Sequence, residues 1–154
     1  MADGAARFQL AQVNIGRLLA PVESPQIADF MAALDEINAL ADSSPGFIWR
    51  LQTAEGNATS LHSFDDPLII SNMSVWESIE ALRAFTYSSA HTGVMSRRRE
   101  WFEKYATAYM AMWWVPAGHR PTIDEAKERL ALLDRLGPTA DAFTFRVPFE
   151  ARVG

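Results

Sequence analysis

Residues 71–114 read as strand, long helix and strand, SNMSVWESIEALRAFTYSSAHTGVMSRRREWFEKYATAYMAMWW, and hold most of the tryptophans in the chain. Their constraint lies in the alternation. In the strand read over 68–76, Leu68, Ile70, Asn72, Ser74 and Trp76 share one face, and Ile69, Ser71, Met73 and Val75 share the other. In the strand read over 108–115, Tyr109, Ala111, Trp113 and Val115 oppose Met110, Met112 and Trp114. Both faces of each strand are apolar, so a sheet built from them has to be covered on both sides.

The rest of the chain supplies the partners. Residues 7–15 suit a strand with Phe8, Leu10, Gln12 and Asn14 on one face. Ser24-Pro25 reads as a helix start, with serine capping and proline in the first position. Ile27, Phe30, Met31, Leu34, Ile37 and Ala41 then recur at helical spacing until Pro45-Gly46. Residues 47–53 form a second strand. Ser78 caps a second helix that the pattern carries to about Lys104. Thr122 and Glu125 form a capping box opening a third, C-terminal helix, which Gly137-Pro138 ends. In the tail, Phe143, Phe145, Val147 and Phe149 alternate, as an edge strand or a drape over the body would.

The order strand, helix, strand, strand, helix, strand is the ferredoxin-like βαββαβ order. The expected fold is α+β: one domain over residues 1–154, with a core at 7–115 and a helical extension at 116–154. A four-stranded antiparallel sheet with both core helices on one side leaves its other side bare and apolar. That bare side predicts a homodimer, with the third helix as the alternative cover.

Charge and composition exclude several function classes. The net charge of −5 argues against nucleic-acid binding, which depends on neutralising phosphates. There are no cysteines, so disulfides, thiolate nucleophiles and cysteine zinc sites are ruled out. No stretch is long and apolar enough for a membrane span, and residues 1–12 lack an apolar signal core, so a cytoplasmic protein is expected. Glycine-rich phosphate loops and HExxH are also missing.

Val75-Trp76-Glu77-Ser78 followed by Glu80-Ala81-Leu82 resembles the dimeric α+β barrel superfamily, and is similar to antibiotic-biosynthesis monooxygenases and haem-degrading monooxygenases. A fuller resemblance is to the bacterial family known as domain of unknown function 3291. It rests on residues 10–17 (LAQVNIGR), 45–51 (PGFIWRL), Ser89-Ala90-His91 with 97–102 (RRREWF), and 113–119 (WWVPAGH). The first resemblance implies an oxygenase that needs no cofactor or uses haem. The second brings no activity with it.

His91 is the candidate acid, base or haem-iron ligand, the role that the haem-degrading resemblance implies for a histidine late in the second helix. Without haem, no metal is expected. Asn14 approximates a first-strand asparagine of those relatives that polarises the bound ligand. As a polar side chain on a buried face it needs a partner or a ligand. Trp49, Trp113 and Phe85 are candidate walls of a small-molecule pocket, and Arg50 a carboxylate clamp. Asn72 is a further polar contact, and His119 stands at the pocket mouth. Each has a structural alternative: tryptophans as core or dimer interface, Arg50 and Arg97-Arg98-Arg99 as solvated charges, both histidines as backbone-bonded. The function reading is a monooxygenase acting on a small apolar or aromatic molecule; the alternative is a non-catalytic binding or stress-response dimer.

Overall fold

A computed structural model of the chain describes residues 8–21, 23–51, 68–88, 92–93, 96–103 and 109–151. Four strands, β1 (Phe8–Arg17), β2 (Phe47–Arg50), β3 (Ile69–Trp76) and β4 (Met110–Pro116), form one antiparallel sheet in the order β2-β3-β1-β4. This is the ferredoxin-like arrangement. The first and last strands of the core lie side by side, and the β2–β3 pair attaches to the outer side of β1. The register places Leu10 opposite Trp76 and Trp114, Gln12 opposite Ser74 and Met112, and Asn14 opposite Asn72 and Met110. The period-two faces read from the sequence are therefore the faces of the folded sheet.

The helices whose bounds fall within the described residues are α1 (Ala28–Ser43), α2 (Ile79–Thr86), α3 (Arg98–Trp101) and α4 (Ile123–Leu136). The Ser24 hydroxyl caps a 3-10 turn, Pro25–Ile27, that runs into α1. Ser78 and Thr122 cap α2 and α4, each accepting a backbone N–H three residues on. Gly46 turns the chain from α1 into β2 at φ +84°, and a Cβ there would lie 2.5 Å from the Cβ of Ala81. Glycine is what lets this turn press against α2.

The second helix is shorter than its pattern. It stops at Thr86, where the Tyr87 amide bonds back to Arg83 and Phe85 and the Ser88 amide to Phe85, tightening the last turn. Residues 92–93 and 96 are helical again, and α3 ends at Trp101. Apolar periodicity carried the reading through to Lys104, which lies outside the described residues. Tertiary pairing ends α3 earlier: the Trp101 carbonyl accepts the Leu19 amide, and Phe102 turns extended to bridge Leu18.

On one face of the sheet, α2 and the C-terminal tail build an apolar cluster around Leu10, Trp76, Leu82, Met112 and Phe143. A second cluster on that side joins Leu18, Ile27, Phe30, Ile70 and Trp101. The opposite face is covered by α4. Ala126, Leu130 and Leu133 pack on Ala11, Val13, Met73, Val75, Trp113 and Val115, and Trp113 is 0% exposed. The homodimer was expected because this face would stand bare. The chain's own α4 covers it, so the unsatisfied aromatic area behind that expectation does not exist at Trp113. Among the described residues, no helix is long and apolar enough to cross a membrane.

Candidate functional site

The helix-side face of β1 and β3 is apolar at both ends and polar in the middle. Leu10 and Trp76 belong to one cluster and Ile70 to the other. Gly16 lies directly beneath the Phe102 ring, with 2.6 Å between ring carbon and the place of a Cβ. Between these ends come Gln12 and Asn14 on β1, facing Ser74 and Asn72 on β3.

These four side chains are not equivalent. Gln12 and Ser74 are buried, at 7% and 5% exposure. The Gln12 Nε2 donates to Ser74 Oγ at 2.8 Å and to Asn72 Oδ1 at 2.9 Å, and Trp76 Nε1 donates to the same Ser74 Oγ at 2.8 Å. Asn72 is exposed although β3 is an inner strand. Asn14 is half-buried, and its amide has no hydrogen-bond partner among the described residues. Among the described residues, a half-buried amide without a partner beside an exposed one on an inner strand leaves a polar gap between the apolar ends of β1 and β3.

An aromatic wall bounds the gap at the Trp76 end. Phe85 stacks on Trp76 at 5.2 Å and 26°, and Phe47 meets it edge-on at 5.4 Å. Beyond that wall a cleft of about 930 Å³ opens between β1, the turn at 44–46 and α2, with Phe8, Pro45, Phe47, Ala81 and Phe85 among its lining.

The predicted site residues divide between the two faces. Asn14, Asn72 and Phe85 all lie on the helix side: the asparagines are cross-strand neighbours, and Phe85 stands beyond them against Trp76. Arg50 lies on the same side but is no free clamp: it is only 11% exposed, and its Nε and Nη2 grip the Asp42 carboxylate at 2.7 and 3.2 Å. Trp49, Trp113 and His119 lie on or beside the α4 face, away from the gap. Trp113 is core, and Arg120 lies over the Trp49 ring at 5.5 Å. His119 Nε2 bonds Glu125 Oε1 at 2.8 Å, and Trp113 Nε1 donates to Glu125 Oε2 at 2.9 Å. Partial burial disfavours the Glu125 carboxylate, but the bonds from His119, Trp113 and the Thr122 amide outweigh it and hold its pKa below the ordinary value. His91 and His62 lie outside the described residues.

Ser74 and Trp76 were not among the predicted site residues, while Gln12 was singled out with Asn72 as a polar side chain on a strand face. The signal was present as two consecutive same-face polar positions in each of two strands, which antiparallel register brings together. Among the described residues, no cluster of three or more His, Asp or Glu could hold a metal ion. The one described histidine, His119, is on the other face, so no described histidine faces the helix side.

The fold and site together define an α+β chain with a ferredoxin-like sheet and a polar gap beneath its helices. The chain belongs to the family described as domain of unknown function (DUF3291), whose model matches residues 9–154. Among curated proteins none matches it in sequence. Solved structures similar to it include SnoaB, a cofactor-independent oxygenase from Streptomyces nogalater, at 16% identity and TM-score 0.43, over 74% of this chain and 95% of that one. A protein of unknown function from Nitrosomonas europaea is similar at 12% identity and TM-score 0.48, over 76% and 96% of the two chains. A conserved protein from Methanosarcina mazei is similar at 13% identity and TM-score 0.48, over 73% and 95%.

Proposed function

We propose that the gap beneath the helices binds a small, partly aromatic molecule through an oxygen atom, and that the protein oxygenates it without a tightly bound organic cofactor. The observation that supports this most is the half-buried Asn14 amide, which no described residue bonds, beside exposed Asn72.

In this reading the substrate is its own electron source. A base, for which His91 is proposed, takes a proton from a methylene activated by a neighbouring carbonyl or phenol. Asn14 and Asn72 donate to the enolate oxygen that forms. The carbanion adds dioxygen to give a peroxide, which takes a proton. Loss of the second C–H proton with cleavage of the O–O bond yields a ketone and water. The apolar walls, Phe85 and Trp76 among them, keep solvent from the carbanion.

The test is oxygen uptake with enolisable polycyclic phenols. Wild type should consume oxygen and release the ketone, and Asn72→Ala should lower the rate by about 100-fold, as loss of one oxyanion donor does elsewhere. Ligand binding without oxygen uptake would instead favour the non-catalytic binder. A Soret band in the purified protein would move the chemistry to haem.

We also propose a homodimer, now through the half-buried side chains at the β2–β3 end, Ile48, Trp49, Leu51 and Ile69, which pack against the α4-side core. Light scattering at micromolar concentration should give twice 17.2 kDa. A mass of one chain would overturn it.

A further inference from the structure

We infer that Gln12 is a positioning residue: it fixes which end of the Asn72 amide faces the gap, and so selects an acceptor oxygen over a donor as ligand. The inference rests on the binding site proposed above and gives it a polarity.

An indole N–H can only donate, so the bond from Trp76 Nε1 takes one lone pair of Ser74 Oγ and leaves it the other lone pair and its own hydroxyl proton. The Gln12 amide nitrogen carries two protons. One goes to the remaining lone pair of Ser74 Oγ at 2.8 Å and the other to Asn72 Oδ1 at 2.9 Å. Gln12 and Ser74 are both nine-tenths buried, so water does not compete for these bonds. With its carbonyl oxygen held by Gln12, Asn72 is left with its Nδ2, and the two N–H donors on it, for the exposed side.

The gap therefore presents donors. An enolate, phenolate or carbonyl oxygen fits them, whereas an ammonium or a second N–H meets a like partner at Asn72. Asn14 stands opposite Asn72 in register with an amide no described residue claims, so it can turn the same way. Trp76, which the aromatic wall fixes at 0% exposure, is the anchor of the relay.

Two measurements test this. In ¹⁵N-labelled protein without ligand, the Gln12 Nε2 protons should exchange with solvent at least tenfold more slowly than the Asn72 Nδ2 protons. The reverse order overturns the inference. It would mean that Gln12 offers its carbonyl to Ser74 and Asn72 and that Asn72 turns its own oxygen outward. In the second, 4-nitrophenol is titrated in the presence of the protein and its ionisation read from visible absorbance. Wild type should bind the phenolate at least tenfold more tightly than the phenol. Gln12→Met, a change of similar volume, should erase that preference, with the thermal midpoint as fold control. An unchanged preference in Gln12→Met overturns the inference. Failure of wild type to bind either form, with the expected exchange order, overturns the proposed site and leaves the amide orientation standing.

Discussion

The two faces of the sheet are built from the same strands and do opposite things. On the α4 face, every inward position of β1, β3 and β4 next to Leu130 and Leu133 is apolar except Ser71. The polar atoms there sit at the rim, where Glu125 ties Trp113 and His119. On the helix side, the described residues of β1 and β3 between the two apolar clusters are amides and a hydroxyl, flanked on β4 by Met110 and Met112. One face is apolar across its inner strands, and the other carries a polar stretch on two of them. In the proposed reading the molecule separates stability from recognition across a single sheet one residue thick, with adjacent residues such as Val13 and Asn14 on opposite faces.

The largest effect should come from the α4 face. Trp113→Ala should cost about 3–5 kcal/mol in urea unfolding, as loss of a fully buried aromatic does. Asn72→Ala, two strands away on the other face, should cost clearly less, about 1–2 kcal/mol for the Gln12 proton left without its acceptor, while weakening ligand binding. Equal losses of stability would mean that the helix-side middle is core after all.

Asn14→Leu sharpens the contrast. Replacing a half-buried amide that lacks a partner with an apolar group of similar size should leave stability unchanged or raise it by up to about 1 kcal/mol. The same change should weaken 4-nitrophenolate binding at least tenfold. A clearly destabilised Asn14→Leu would show that the amide is already satisfied in the protein.

The smallest effect concerns the rim. The pKa of Glu125 is lowered on folding, so its contribution to stability is present above the unfolded carboxylate value, near pH 4.5, and fades as pH falls through the lower folded value. Glu125→Gln should therefore be less stable than wild type at pH 6, with the difference closing below about pH 4.5. A difference that stays constant with pH would remove the charge from the account.

The faces of the strands were legible because side-chain alternation has a period of two and cannot drift within a strand of eight residues. The caps at Ser24, Ser78 and Thr122 were legible for a similar reason, since each is a local bond. The end of the second helix was not. Its apolar spacing continues past Thr86, and what stops the helical run at Trp101 is pairing with Leu18 and Leu19, some 80 residues earlier in the chain. For the site, Asn14 and Asn72 stood out as polar residues on apolar faces. Trp113 and His119 were drawn toward the same pocket by chemistry alone, and only the packing of α4 shows that they serve the other face. Arg50 was misread because nothing in the local pattern showed that Asp42, at the end of α1, would occupy its fork.

The tail that reaches β4 has a consequence for solubility. β4 is an edge strand, and an edge strand is a template for pairing with other chains. Here Phe143 occupies that template, exchanging two backbone bonds with Met112, while the Trp114 indole holds the carbonyl of Phe149. The opposite edge, β2, has only four residues in its strand. One border of the sheet is thus blocked by the chain's own tail and the other is kept short. Both are means by which β-rich proteins avoid growing into fibres, and a chain cut after Leu136 would lose the first of them.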